Sequence, residues 1–183
     1  MLKKENLNRP NFKWQEFFTS DTVYKINHDS IAGNDFENYP SHDKEQEILQ
    51  NLMFTADAMQ EIWFLLFKEW KRRNSRRNIT ISDHNFYLKI NNGYRCLALN
   101  KLVRGALNSD HMKGLAIDFI CPIFGTPEEI VKFLHSINFL SDQCFIEGTW
   151  IHFGRKAPAE KNRMMYGYYL YDKKFKKRVF KSI

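Results

Sequence analysis

The sequence predicts an α+β fold in which a small antiparallel sheet is covered by helices. Three observations lead there. Ile48, Leu52, Met59, Trp63, Leu66 and Trp70 recur at spacings of three, four or seven and mark one buried stripe of a long helix. Short apolar runs bounded by turn residues follow, at the length of strands rather than helices. Helices and strands mix without the regular βαβ alternation that a parallel sheet would require.

The elements are expected in this order. Residues 21–43 are polar and turn-rich, with Gly33, Asn34, Asn38 and Pro40, and read as an irregular connection. Asp43, with Gln46 three residues on, opens the long helix. Leu49, Met53, Ile62 and Phe67 widen its stripe, and Lys71-Arg72-Arg73 suits its negative C-terminal end. A short helix covers Ala98 to Arg104 and stops at Gly105. Thr126-Pro127-Glu128-Glu129 combines an N-cap, a proline in the first turn and a capping-box glutamate. Ile130, Phe133, Leu134 and Ile137 form that helix's buried face. Strands are expected at Asn85–Ile90, Leu115–Cys121, Gln143–Glu147, Trp150–Phe153 and Met165–Tyr171.

The chain has 183 residues, 43% hydrophobic and 15% aromatic, enough to build one core; a single domain over 1–183 is expected. Its 28 Lys and Arg against 21 Asp and Glu give a formal charge of +7. Anionic partners are favoured, whether nucleic acid, membrane surface or carboxylate-rich wall polymer. A nucleic-acid binder rests on charge alone, since no recognised nucleic-acid motif is present. Cys96, Cys121 and Cys144 are too few and too scattered for a disulfide framework and read as free thiols. Met1 to Trp14 has no apolar h-region, so synthesis in the cytoplasm without a secretory signal is expected. Ile62 to Phe67 is too short to span a bilayer. The basic segment at about 172–183, with Lys173, Lys174, Lys176, Lys177, Arg178 and Lys181, is expected to be a solvated tail, its alternative being an anchor on an anionic surface.

The chemistry concentrates in Asn91–Phe119 and Phe145–Phe153. A catalytic zinc takes three N or O ligands and keeps one position open. His111 sits in a polar turn that Gly114 lets bend, and Asp118 lies between Ile117 and Phe119, where a carboxylate needs a partner. The third ligand must come from elsewhere. FIEGTWIHF reads as two strands joined at Gly148-Thr149. A two-residue loop sets Glu147 opposite Trp150 and Phe145 opposite His152. Glu147, Trp150 and His152 then share one face, while Cys144, Ile146, Ile151 and Phe153 take the other. A carboxylate beside an imidazole fits a general base beside a metal ligand.

These residues resemble a known family, the zinc D-alanyl-D-alanine carboxypeptidases and related bacteriophage endolysin peptidases that cut peptidoglycan stem peptides. Its Ser-x-His-x-x-Gly-x-Ala-x-Asp pattern is met by Ser109, His111, Gly114, Ala116 and Asp118. Its upstream Gly-Tyr-Arg is met by Gly93, Tyr94 and Arg95, and its Leu-Asn by Leu99 and Asn100. Its Glu followed by Trp-hydrophobic-His is met by Glu147, Trp150, Ile151 and His152. Phe12, Glu16, Phe17 and Ser20-Asp21-Thr22 resemble its lead-in, and Asn162-Arg163 its close, so the likeness runs over about 12–163. Two departures stand out: many members have one more residue between the Glu and the Trp, and Arg104 replaces the first glycine of a Gly-Gly step.

The resemblance implies one Zn²⁺ per chain held by His111, Asp118 and His152, with Glu147 as general base. It implies that Arg95 binds the substrate carbonyl or carboxylate and that Ser109 helps position the substrate, where its alternative role is to cap the turn carrying His111. It implies the α+β fold shared with the hedgehog signalling domain. The function expected is hydrolysis of a peptide bond in peptidoglycan, as carboxypeptidase or endopeptidase, in a monomeric phage or prophage lysin acting on the wall after release. The alternative is a catalytically silent, zinc-containing binding module of the same fold.

Overall fold

The longest run of regular backbone is a helix, α2, over Glu45–Asn74, preceded by the shorter α1 over Asp21–Asp29. The structure, a computed structural model, describes residues 1–29, 37–76, 85–172 and 177–183. Along α2 the predicted stripe is buried from Ile48 to Trp70, with Thr55, Ala56 and Ala58 added and Met53 only half-buried. Among the described residues six strands follow: β1 Lys89–Asn92, β2 Ala116–Ile120, β3 Gln143–Glu147, β4 Trp150–Gly154, β5 Met165–Asp172 and β6 Lys177–Ser182. Two more helices, α3 over Leu97–Leu102 and α4 over Pro127–Ser136, lie between strands. The sheet order is β1-β2-β4-β3-β5-β6. β3 pairs antiparallel with β4, and β5 with β6, but β3 and β5 are parallel, so the sheet is mixed.

The chain divides into two compact units. One comprises Met1–Gln60 and Ile90–Asp118, the other Glu61–Lys89 and Phe119–Ile183. In the first, two 3-10 turns at Lys4–Leu7 and Trp14–Phe18 bury Leu7, Phe17 and Phe18. Phe18 meets Tyr39 and Tyr94 at ring separations of 5.3 and 5.9 Å. In the second, Trp63, Phe67 and Phe86 cluster at 5.1–5.8 Å, and the Trp63 indole donates to the Phe86 carbonyl at 2.9 Å. The N-cap of α4 forms as expected, Thr126 Oγ1 accepting from Glu129 N while the Glu129 carboxylate accepts from Thr126 N.

Several expectations are corrected. Residues 21–29 are helical; the chain is not irregular there, and Gly33 and Asn34 lie outside the described residues. Ser20 opens α1, its carbonyl accepting from Tyr24 N and its hydroxyl from Thr22 N. Asn85–Ile90 alternates in burial as a strand would, but pairing starts only at Lys89. The carbonyls of Phe86 and Tyr87 go instead to the Trp63 indole and the Cys121 thiol. On α4, Val131 is buried and Ile137 is exposed, because the helix has ended at Ser136. At the end of α3 the positive φ falls on Arg104, not on Gly105. The segment read as a tail contains β6, whose Phe180 ring lies 4.9 Å from that of Phe145; Lys173, Lys174 and Lys176 lie outside the described residues.

Candidate metal centre

His111 rides on a 3-10 turn, Asp110–Lys113, that ends in Gly114 at φ 72°. A side chain there would be strained by that φ, and its Cβ would come within 2.9 Å of Leu52 Cγ and 3.0 Å of the Ile48 carbonyl. The turn is fastened to α2 by two side chains. Asn51 Nδ2 donates to the Lys113 carbonyl at 2.9 Å, and Thr55 Oγ1 to the Gly114 carbonyl at 2.8 Å. Gly114 then leads through Leu115 into β2, which carries Asp118.

The Gly-Tyr-Arg segment supplies the other wall of this turn. Gly93 packs so closely on Phe17 that a Cβ would sit 2.1 Å from its carbonyl oxygen. That leaves the Gly93 carbonyl to face His111 Nδ1 at 2.8 Å. A carbonyl can only accept, so Nδ1 carries the proton and donates. His111 Nε2 is therefore the atom offered to the site, and it lies 3.3 Å from Asp118 Oδ1. Both residues are nearly sequestered, at 3% and 4% exposure.

An imidazole nitrogen facing a carboxylate oxygen at this distance requires a proton or a metal ion between them. His152, on β4 and half-buried, completes the set: one ligand atom from each of His111, Asp118 and His152 lies within 4.8 Å of the others. Ligands about 2.0–2.1 Å from a tetrahedral zinc lie roughly 3.3 Å apart. Two imidazoles and one carboxylate are a donor set that zinc takes, with a fourth position left over. The residues present therefore fit a zinc ion.

The hairpin register is the one the sequence predicts. Glu147 pairs with Trp150 and Phe145 with His152 across β3 and β4, and the turn is Gly148-Thr149, with Gly148 at φ 67°. Glu147 and His152 thus share a face, next to the Phe145 ring that stacks on His152 at 6.2 Å. Cys144, Ile151 and Phe153 are buried on the other face.

Arg95 is held from several sides. Its backbone N–H donates to the His111 carbonyl at 3.1 Å, its Nη1 lies 3.4 Å from Asn100 Oδ1, and its Nη2 is 3.9 Å from Asp118 Oδ2. Ser109 is the N-terminal flank of the His111 turn, but only its carbonyl serves that turn, accepting from Met112 N; its hydroxyl makes no capping bond.

Sequence reasoning passed over Asn38, Thr55 and Asn92. Asn38 reads in the sequence only as a turn residue, yet its buried amide donates to the carbonyls of Phe18 and Tyr94 and accepts from Cys96 N, pinning the backbone on both sides of Arg95. Thr55 shows in the sequence only as a polar residue among apolar ones on a buried stripe. Asn92 adjoins Gly93 and donates to Asp118 Oδ2 at 3.3 Å.

Residues 81–154 match the model of a family described as Peptidase M15. No curated protein and no solved structure matches the chain. The matched span takes in His111, Asp118, Glu147 and His152 and supports a zinc metallopeptidase of the M15 class in general.

Proposed function

We propose that the chain is a zinc-dependent peptidase that hydrolyses a peptide bond in peptidoglycan stem peptides or their crosslinks. The observation that carries this reading is the convergence of His111, Asp118 and His152, ligand atoms within 4.8 Å, inside the stretch matching the M15 peptidases. The chemistry zinc supplies there is Lewis-acid activation of water and polarisation of the scissile carbonyl. Glu147 accepts a proton from the attacking water and returns it to the leaving amine as the C–N bond breaks. Arg95 receives a substrate carbonyl or carboxylate, and Ser109, with no capping duty for its hydroxyl, orients the peptide. The net charge of +7 suits a carboxylate-bearing polymer.

The motif set resembles phage endolysins as well as carboxypeptidases, and we assign the chain to a monomeric phage or prophage lysin that reaches the wall after release from the cytoplasm. Among the described residues no helix is long and apolar enough to cross a membrane.

Digestion of purified peptidoglycan, with mass spectrometry of the fragments, tests the reading and identifies the bond cut. Zinc bound at about one per chain, lost in the His111→Ala, His152→Ala double variant, is the expected companion result. A protein that binds zinc but cleaves no wall peptide would instead be a silent binding module. One with no affinity for zinc would have no metal centre.

A further inference from the structure

We propose that Asn92 is a positioning residue of the metal centre, that it orients the Asp118 carboxylate, and that Ser20 in turn fixes the Asn92 amide. The inference rests on the reading of His111, Asp118 and His152 as metal ligands. Its basis is a directed run of hydrogen bonds linking residues far apart in sequence. Thr22 N–H donates to Ser20 Oγ at 3.3 Å, the Ser20 hydroxyl donates to Asn92 Oδ1 at 3.0 Å, and Asn92 Nδ2 donates to Asp118 Oδ2 at 3.3 Å.

The direction of the run is set by chemistry. A carboxylate only accepts, so the amide must turn its NH₂ to Asp118 and its oxygen to Ser20. A flipped amide would set its carbonyl oxygen against the carboxylate and its NH₂ against the hydroxyl. Ser20 is 4% exposed and pairs with Asn92 as an isolated antiparallel bridge, so the two residues are joined by backbone as well as by side chain. Asn92 engages Oδ2, the same oxygen that Arg95 Nη2 approaches at 3.9 Å. The other oxygen, Oδ1, is the one facing His111 Nε2 at 3.3 Å. Asn92 thus selects which carboxylate oxygen is offered to the ion and fixes the plane in which it is offered. Outer partners of this kind change metal affinity by about 10–100-fold when removed.

The competing explanation is that Asn92 only ties β1 to the segment before α1. Zinc affinity by chelator competition, the melting temperature of the metal-free chain and the Co²⁺ visible spectrum separate the two. Asn92→Asp keeps the size and the acceptor for Ser20 but removes the donor, and Asn92→Ala removes both. Each should weaken zinc by about 10–100-fold and shift the Co²⁺ bands, with the metal-free melt little changed. Ser20→Ala should give a smaller loss that Ser20→Thr, which keeps the hydroxyl, restores. Wild-type affinity and spectrum in both Asn92 variants would overturn the proposal, as would an affinity loss that merely follows unfolding of the metal-free chain. A wild type that binds no zinc would overturn the metal centre itself, a result distinguishable from the former.

Discussion

The Asp142 carboxylate, 1% exposed, is wrapped by Arg163. The backbone N–H and Nε of Arg163 both donate to Oδ1 at 2.9 Å, and Nε and Nη2 reach Oδ2. Asp142 N donates to the Gly154 carbonyl, and Met165 N to the Asp142 carbonyl, so the pair joins the start of β3, the end of β4 and the start of β5. Burial works to raise the Asp142 pKa, but the hydrogen bonds and charge of Arg163, with Lys156 at 3.8 Å, outweigh it and hold the carboxyl below its usual range. A depressed folded-state pKa stabilises above the unfolded-state value, about 3.9, and that contribution is lost as pH falls through the folded-state value. Arg163→Met should cost about 1–3 kcal/mol at neutral pH by leaving a buried carboxylate short of donors. The variant's deficit should shrink as pH drops below about 4. Denaturant melts at pH 7 and pH 3 provide the check, and equal deficits at both would refute the assignment.

Glu147 shares a sheet face with His152 but is not among the grouped ligand atoms. Glu147→Gln should therefore keep its zinc while hydrolysis falls by about 10²–10⁴-fold. Asp118→Asn should lose metal as well as rate. Elemental analysis beside a peptide-cleavage assay distinguishes them; full activity in Glu147→Gln, or loss of its zinc, would remove Glu147 from the role of base.

Removal of residues 173–183 now has a structural cost that a solvated tail would not. β6 pairs with β5 from Gly167↔Ser182 to Asp172↔Lys177, and Phe180 contacts both Phe145 and Tyr169. Gly167 has no room for a side chain because the Lys181 carbonyl would lie 2.0 Å from its Cβ. The truncated chain should lose about 1 kcal/mol or more, roughly half the worth of a fully buried phenylalanine, because Phe180 is half-buried. An unchanged melting temperature would restore the tail description, and sacculus binding at varied salt would then test the anchoring role.

Burial pushes the Cys121 thiol up to about 12 and raises that of Cys144 as well, whereas Cys96 is half-buried at the start of α3. Since the thiolate is the reactive form, an aromatic disulfide reagent should titrate one thiol in the native chain and all three after denaturation. Rapid native reaction of Cys144 would contradict its burial.

What the sequence disclosed, and what it withheld, follows from range. The β3–β4 hairpin was legible to the residue because a two-residue loop leaves one register, and alternation then fixes the faces. His111 and Asp118 were legible because a single turn and strand carry both. The α4 cap lies within four consecutive residues. By contrast, Thr55 to Gly114, Asn38 to Tyr94 and Ser20 to Asn92 join positions tens of residues apart, and no local pattern encodes such pairs. The helix α1 was missed because it has no long apolar stripe, although Ser20-Asp21 is an N-cap signature. β6 was missed because its lysines and arginine dominate its composition, although Val179 and Phe180 sit among them.

The fastening of the His111 turn by Asn51 and Thr55 has a thermodynamic corollary. Much of the ordering entropy that a ligand-bearing loop would lose on capturing an ion is already lost when the chain folds. Loading should then be a docking event on a finished scaffold, unlike the small metallodomains whose ion drives their folding. A chelator-stripped chain should keep its circular dichroism and cooperative melt, and should reload without a refolding phase.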